Sequence, residues 1–488
     1  MTTIEVLEHH RFESAGQPFV YLVPSAAVFG LDPVADAVMQ MLDSGPRTLD
    51  EMTSVLDASF ERDAVLTTIG ELRAVRAIGE TVAPQATAPA APARKIIPLT
   101  PFPLTTMVLN VTNQCNLACT YCYEYSADKI VDTENGKQPK FMTEETAREA
   151  VEFMLRESGT SPMAYLTFFG GETLMNFPVL KRTVAYARAR AAEVGKAVQF
   201  SLTTNATLLV PEIIDFLADN DIGVTISIDG PPEIQDKFRV FSGGRGSYDV
   251  VAPKVKALLA RHRTRPIGAR VTLAAGTVSV KKIFRHLTDD LGFSEVGFAP
   301  ATTAATRDYA IPDQGFDELL AQFSELADEF LEYSVANRHH GFSNVRETLD
   351  EIHKGMSKAY PCGAGLGLMG VSTGGDVALC HRFAGSEEHK LGTVRDGIDR
   401  EAQRGFLEHH HVDSKTDCKT CWARPLCSGG CYHEAHTRYG DTARPNLHYC
   451  DWIRGWTDVC LRVYGALSVR NPSFLQRFDR EPMTEKVA

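Results

Sequence analysis

Apolar positions fall into three regimes along the 488-residue chain. In the first regime FVYLV at 19–23 is a continuous apolar run that predicts a strand, and Asp32 precedes a helical stripe of Val34, Ala37, Val38, Met41 and Leu42. Thr48 stands where it would cap a second helix, and residues 60–75 predict a third. Together they predict a small winged-helix-like unit over 1–81. Residues 82–98, VAPQATAPAAPARKIIP, carry Ala and Pro without apolar periodicity and predict a semi-extended linker.

The second regime alternates. Apolar, β-branched runs at 107–111, 165–169, 198–202, 224–228, 270–273 and 296–298 are separated by helical segments, among them 144–156 behind a Thr143 cap and 179–194. Near-continuous apolar strands alternating with helices predict parallel βα units, an α/β fold with helices outside. Six units fall short of a closed eight-stranded barrel, so residues 99–305 predict a partial (β/α)6 barrel in preference to an open doubly wound sheet. Residues 306–358 predict a helical, polar connection. In the third regime, 359–488, the stretch from Cys362 to Cys460 is rich in Cys, Gly and His with weak periodicity, so bound metal is expected to supply order there.

Charge and composition narrow the class. The net charge is −12, and residues 1–85 hold five arginines, no lysine and 13 acidic residues, a net −8. A winged helix with that charge is not expected to bind nucleic acid through phosphates. No run approaches 18 uninterrupted apolar residues, and the N-terminal stretch has no basic segment followed by an apolar one, so neither a membrane span nor a secretory signal is expected. That places the chain in the cytoplasm, where its 11 cysteines read as metal ligands or reactive thiols rather than disulfides.

Directly after the first barrel strand comes VTNQCNLACTYCYEY, with Cys115, Cys119 and Cys122 spaced C-x3-C-x2-C. Three thiolates on one loop suffice for three irons of a 4Fe–4S cube and leave one iron open to a small molecule. A structural zinc site would need a fourth ligand nearby, and the loop offers none. The signature, with Tyr121 as its aromatic, resembles the radical S-adenosylmethionine (SAM) superfamily. The resemblance implies that the open iron chelates SAM and that reductive cleavage gives a 5′-deoxyadenosyl radical. Phe169-Gly170-Gly171-Glu172 ends the second strand and looks like the family's GGE motif, implying that Gly170, Gly171 and Glu172 meet the methionine end of SAM. Thr203-Thr204-Asn205 and Ser227-Ile228-Asp229-Gly230 end the third and fourth strands and resemble segments lining that site, which nominates Tyr121, Thr203, Asn205, Ser227 and Asp229 as cofactor-binding. Ser227 is the stronger candidate for direct contact. Arg239 and Arg270 are both candidates for the SAM carboxylate.

The C-terminal cysteines are spaced C-x12-G-x4-C (Cys362, Gly375, Cys380), then C-x2-C-x5-C-x3-C (Cys418, Cys421, Cys427, Cys431), then Cys450. Seven thiols are too many for one tetrahedral site and enough for two clusters with one vacancy. The pattern resembles the SPASM extension of radical SAM peptide maturases. By that resemblance Cys418, Cys421, Cys427 and Cys450 hold an outer auxiliary 4Fe–4S cluster, and Cys362, Cys380 and Cys431 an inner one, giving three clusters in all. Cys460, in the apolar run DVCLRVYGAL, reads as an inert buried cysteine. His381 reads as a packed or supporting histidine as readily as an acid or base, so no catalytic residue is assigned, and 409–411 reads as a solvated loop.

The whole chain is similar to the maturases of quinohemoprotein amine dehydrogenase, on PFPLTTMVLNVTNQCNLACTYCYEY, FFGGETLMNFP, the SPASM cysteines and the N-terminal unit. That resemblance implies Cys-to-Asp/Glu thioether cross-linking within the dehydrogenase's small γ subunit. It also implies an electron donor such as a flavodoxin or ferredoxin. The substrate's leader is expected to pair with the N-terminal unit by strand addition, with 19–23 nominated as the pairing region. Competing readings are another SPASM maturase, joining carbon to carbon or oxidising one residue, and a non-catalytic metal-binding scaffold.

Overall fold

The computed structural model describes residues 2–81, 102–131 and 138–479. The linker expected at 82–98 lies outside the described residues. The N-terminal unit runs β1 (Thr3–Val6), β2 (His9–Ser14), β3 (Gln17–Leu22), β4 (Ala27–Gly30), α1 (Pro33–Asp43), β5 (Arg47–Thr48), α2 (Leu49–Leu56), α3 (Arg62–Ala74) and β6 (Ile78–Glu80). The Asp32 side chain accepts from Ala35 N, and Thr48 with Glu51 closes a capping box. Strands β2, β3 and β4 form an antiparallel meander, and β5, β1 and β6 form a second small sheet. Phe19 and Tyr21 of β3 enter the main core of the protein, while Val20 and Leu22 pack with α1–α3. Burial on both faces explains why FVYLV has no polar alternation. It also corrects one expectation. β3 is already paired with β2 and β4, so the nominated strand has no free edge for a leader; the outer strands of the meander are β2 and β4.

Six parallel strands follow in chain order: β7 (Thr106–Thr112), β8 (Met163–Gly170), β9 (Ala197–Thr204), β10 (Gly223–Ser227), β11 (Gly268–Leu273) and β12 (Glu295–Pro300). Between them lie α4 (Glu144–Glu157), α5 (Phe177–Glu193), α6 (Pro211–Asp219), α7 (Pro232–Phe238) and α8 (Tyr248–Arg261), with α9 (Val280–Arg285) before β12. The Thr143 side chain caps α4 by accepting from Thr146 N. This is the partial (β/α)6 barrel that the apolar runs predicted. The connection that follows, α10 (Asp313–Val335) and α11 (Ser343–His353), is helical but not polar throughout. Phe316, Leu319, Phe323, Leu326 and Phe330 of α10 bury one face in the core, and an acidic opposite face had masked that stripe.

The C-terminal region extends the barrel sheet. β13 (Leu368–Val371) pairs in parallel with β7, and β14 (Asp376–Ala378), β15 (Lys390–Thr393) and β16 (Gly397–Ile398) continue antiparallel, giving ten strands. Helices α12 (Arg400–His410), α13 (Arg424–Cys427), α14 (Tyr432–Tyr439), α15 (Cys450–Arg470) and α16 (Pro472–Leu475) complete it. The stretch 409–411 is not a solvated loop. His410 closes α12, donating from Nδ1 to Phe406 O at 2.7 Å and accepting at Nε2 from Thr442 Oγ1 at 2.9 Å, and His411 is buried beside it. Cys460 is wholly buried on α15.

The N-terminal meander rests on this region. His10 pairs with Asp458 at 2.7 Å and stacks on Trp422 at 3.7 Å, and Ser14 Oγ donates to Arg462 O at 2.6 Å. Glu8 pairs with Arg424. Gly465 makes this approach possible, because a Cβ there would lie 3.0 Å from the Ser14 side chain. No helix among the described residues is long and apolar enough to cross a membrane.

Candidate active site

Strand β7 ends at Thr112 and leads directly into the loop of Cys115, Cys119 and Cys122. The end of β8 holds that loop from beneath. Gly171 N donates to Thr112 O at 3.0 Å, and Glu172 N donates to Gln114 O at 2.9 Å. A Cβ on Gly170 would stand 2.2 Å from Thr112 O, and one on Gly171 2.2 Å from Gln114 O. Gly170 also has φ +125°, which disfavours any side chain. The glycine pair is therefore required to seat the cysteine loop, whatever else it touches. On the loop's other flank Ala118 N donates to Val240 O at 2.7 Å and Thr120 N to Phe238 O at 3.1 Å.

All three thiols open onto a cavity of about 540 Å³ inside the barrel. Burial pushes Cys115 and Cys122 up to about 12, and Cys119 also upward. Left alone they stay protonated, and only a bound metal draws off the protons. A single tetrahedral zinc, with bonds of about 2.3 Å, would gather thiolates to about 3.8 Å of one another. Among the described residues no three cysteine sulfurs come within even 4.8 Å of each other. Three thiols on one cavity wall, not gathered as a single zinc would gather them, fit a cube whose thiolates bind separate irons.

The predicted cofactor residues divide into two groups. Tyr121, Gly170, Gly171, Thr203, Asn205, Ser227, Arg239 and Arg270 line the cavity. Glu172 and Asp229 are not among the lining residues. Glu172 is fully buried beneath the cavity floor, where its carboxylate accepts from Thr204 Oγ1 at 2.6 Å, Asn205 N at 2.8 Å and Leu174 N at 3.0 Å. Burial raises its pKa, and those three donors offset part of the shift. Two of those bonds, to Thr204 and Asn205, tie the end of β8 to the end of β9. Asp229 accepts from the Tyr121 hydroxyl and from Thr272 N at 2.9 Å, and pairs with Arg239 at 2.9 Å. Its function is to fix Tyr121 and Arg239, whose guanidinium lies 5.5 Å over the Tyr121 ring.

The two arginines differ. Arg239 is neutralised by Asp229 and lies in the field of Cys119. Arg270, from the middle of β11, reaches into the lumen, where its field partners are Glu347 and Arg382. Asn205 places its amide 3.9 Å from Cys115 Sγ and donates to Asn116 Oδ1 at 3.0 Å.

Several lining residues escaped the sequence reading. Arg382 donates to Thr302 Oγ1 at 2.8 Å and sits 4.5 Å over the Tyr123 ring. Its signal was position, two residues after Cys380. Glu124, whose carboxyl burial pushes up to about 7, and Glu347 also line the cavity. Glu347 comes from α11, far along the chain, and nothing local marks it. His381 lines the same wall, 4.4 Å from the Phe169 ring; burial first and Arg382 second depress it to about 3, so it stays neutral.

A second cavity, of about 360 Å³, is lined by Cys362, Cys418, Cys421, Cys427, Cys431 and Cys450. The thiols fall into two electrostatic neighbourhoods. Cys418, Cys421, Cys427 and Cys450 act on one another, as do Cys362, Cys380 and Cys431. Cys380 continues into His381 and Arg382 of the barrel wall, so the three-thiol set adjoins the lumen.

Residues 109–272 match the Radical SAM superfamily profile. The chain is 28% identical over 371 residues to the serine-type anaerobic sulfatase-maturating enzyme of Bacteroides thetaiotaomicron, covering 71% of this chain and 86% of that one. The structure of anSMEcpe with bound AdoMet shares the fold with a TM-score of 0.63 at 20% identity, covering 76% of this chain and 99% of that one. Streptococcus suis SuiB bound to its precursor peptide SuiA gives 0.51 at 12% identity, covering 92% and 100%.

Proposed function

Taking as premise that this chain folds as a radical SAM barrel with a cysteine-rich C-terminal region, we propose that it is a peptide maturase. Its reaction is the formation of Cys-to-Asp/Glu thioether cross-links in the small γ subunit of quinohemoprotein amine dehydrogenase. One observation carries this reading: Cys115, Cys119 and Cys122 open on one side of the lumen, and Arg382 and His381, next to Cys380, wall the same lumen. A carbon–sulfur bond made from a thiol and a C–H is a two-electron oxidation, and it needs two redox groups around one substrate. When bound, the cluster on the first loop with SAM supplies a 5′-deoxyadenosyl radical, and the C-terminal clusters supply an electron sink.

The chain's own residues do the positioning. The Gly170–Gly171 backbone fixes the cysteine loop against β8, and Asp229 holds Tyr121 and Arg239 in place at the lumen wall. Ser227 and Thr203 line the lumen, and Arg239 is our choice for the SAM carboxylate because it lies beside Cys119. The N-terminal unit is our candidate for holding the leader, now through β2 or β4. Among the similar proteins, sulfatase-maturating enzymes and SuiB with its precursor peptide support the coarser part, a radical enzyme acting on a polypeptide.

The test is anaerobic incubation of reduced holoenzyme, SAM and the γ subunit. Each cross-link removes two hydrogens from the product mass, and tandem spectra lose the fragments between the joined residues. Metal analysis is expected to give about 12 irons with equal sulfide per chain. SAM cleavage with an unchanged subunit overturns the reading. A second reading, oxidation of one residue, draws support from the 28% identity to a sulfatase-maturating enzyme; it would change the mass without linking two residues.

A further inference from the structure

Outside the cysteine sets, one more group of donors converges. Glu388 and His389 end the loop that precedes β15, and they face His436 on α14; one ligand atom from each lies within 4.8 Å of the other two. No other three His, Cys, Asp or Glu donors come this close among the described residues. His389 Nε2 is 4.0 Å from Glu388 Oε1, and the His389 and His436 rings stand 4.9 Å apart at 85°. The His389 ring is held on its other side. Ser386 Oγ is hydrogen-bonded to Nδ1 at 2.9 Å, and the Phe383 ring lies 4.3 Å away. A hydrogen bond on one ring nitrogen orients the other, which is how metal-binding imidazoles are usually fixed. His389 is buried and Glu388 is 73% exposed, so the group has an open side toward solvent.

We propose that Glu388, His389 and His436 bind a divalent metal ion of the zinc class, with water as the fourth ligand. Two imidazoles and one carboxylate are the donor set that zinc accepts, with bonds of about 2.0–2.1 Å that put donors about 3.3 Å apart. Rotation of the exposed Glu388 and the half-buried His436 closes the remaining gap. The site's position gives it a use. Its loop follows Cys380, and α14 begins directly after Cys431. Both cysteines belong to the three-thiol set, so the ion ties the two segments together from the outer side. An ion bound only by the folded state stabilises it by mass action.

The experiment uses untagged holoenzyme with its clusters loaded, equilibrated with zinc sulfate and gel-filtered, with zinc, iron and sulfide measured on the same sample. The wild type is expected to retain one zinc per chain, and His389→Ala/His436→Ala none. Glu388→Gln is expected to bind at least about tenfold more weakly, since losing a direct ligand costs no less than losing a group that orients one, and because Glu388 is exposed this variant probes the site without risk to the fold. Equal iron in all three proteins shows the cages intact. Zinc-loaded wild type should also lose iron to a chelator more slowly than zinc-free wild type, a difference the double variant lacks. No zinc on the wild type, or equal zinc on the wild type and the double variant, overturns the assignment.

Discussion

The first three thiols lie between positions 115 and 122 on one loop, clamped by backbone hydrogen bonds to the ends of β8 and α7, whereas the other seven are collected from positions 362 to 450. In the first case geometry is local and set by peptide groups. In the second the two sets interleave: Cys427 belongs to one, Cys431 to the other, and Cys450, first residue of α15, returns to the first. A seat made of one clamped loop exists before any metal arrives. Cages whose walls come from four separate stretches of chain depend on fold and metal together. The first region should therefore fail through a single contact, and the second by degrees.

The largest effect is expected for Cys119→Ala, which should abolish 5′-deoxyadenosine formation while leaving about eight irons per chain. Iron analysis and product chromatography on one sample check both halves. Next is Gly171→Ala, whose methyl group would meet Gln114 O at 2.2 Å. It should cost about 3 kcal/mol or displace the loop, seen as loss of one cluster's iron with the other two retained. Cys431→Ala and Cys450→Ala sharpen the contrast: each should lose about four irons, and each should lower the melting temperature because the interleaved sets share one fold. A C-terminal variant that loses all eight auxiliary irons at once would show the two sets to be one cooperative unit.

The smallest effect lies away from every cysteine. His340 is buried, its ring nitrogens have no hydrogen-bond partner among the described residues, and burial depresses it to about 4. Its charged form is disfavoured in the folded state, so stability is fully present above pH 6.5 and falls as pH drops toward 4. The slope should be about 1.4 kcal/mol per pH unit at most. His340→Phe should remove that slope between pH 6.5 and 5.5 in chemical denaturation and leave stability at pH 7.5 unchanged or higher.

The barrel was legible because short β-branched and aromatic runs recur between helical segments, and one face of each strand is buried against the helices. The cysteine loop was legible because thiol spacing is a property of the chain itself. Strands β1, β2 and β4 were missed because they are short and half-polar, with few fully buried positions to give an apolar pattern; HHRFES buries only Phe12 and Ser14. For Glu172 and Asp229 the sequence located the neighbourhood but not the protein partners of their carboxylates. A motif fixes which backbone reaches a site, but the direction of a carboxylate depends on donors such as Thr204 and Thr272, which only folding brings near. His410 shows the same limit, as its burial depends on Thr442 and the turn of α12.

The docking of the N-terminal meander against Trp422, Arg424 and α15 has a consequence for protein engineering. Phe12, Phe19 and Tyr21 are part of the main core, so the first eighty residues cannot be swapped between relatives as a detachable specificity cassette. A working chimera has to carry the matching face of α15 with it, Gly465 included. Of the two outer strands, β2 is itself part of this joint through His10, Phe12 and Ser14, so β4 is the one open to redesign with the joint left in place.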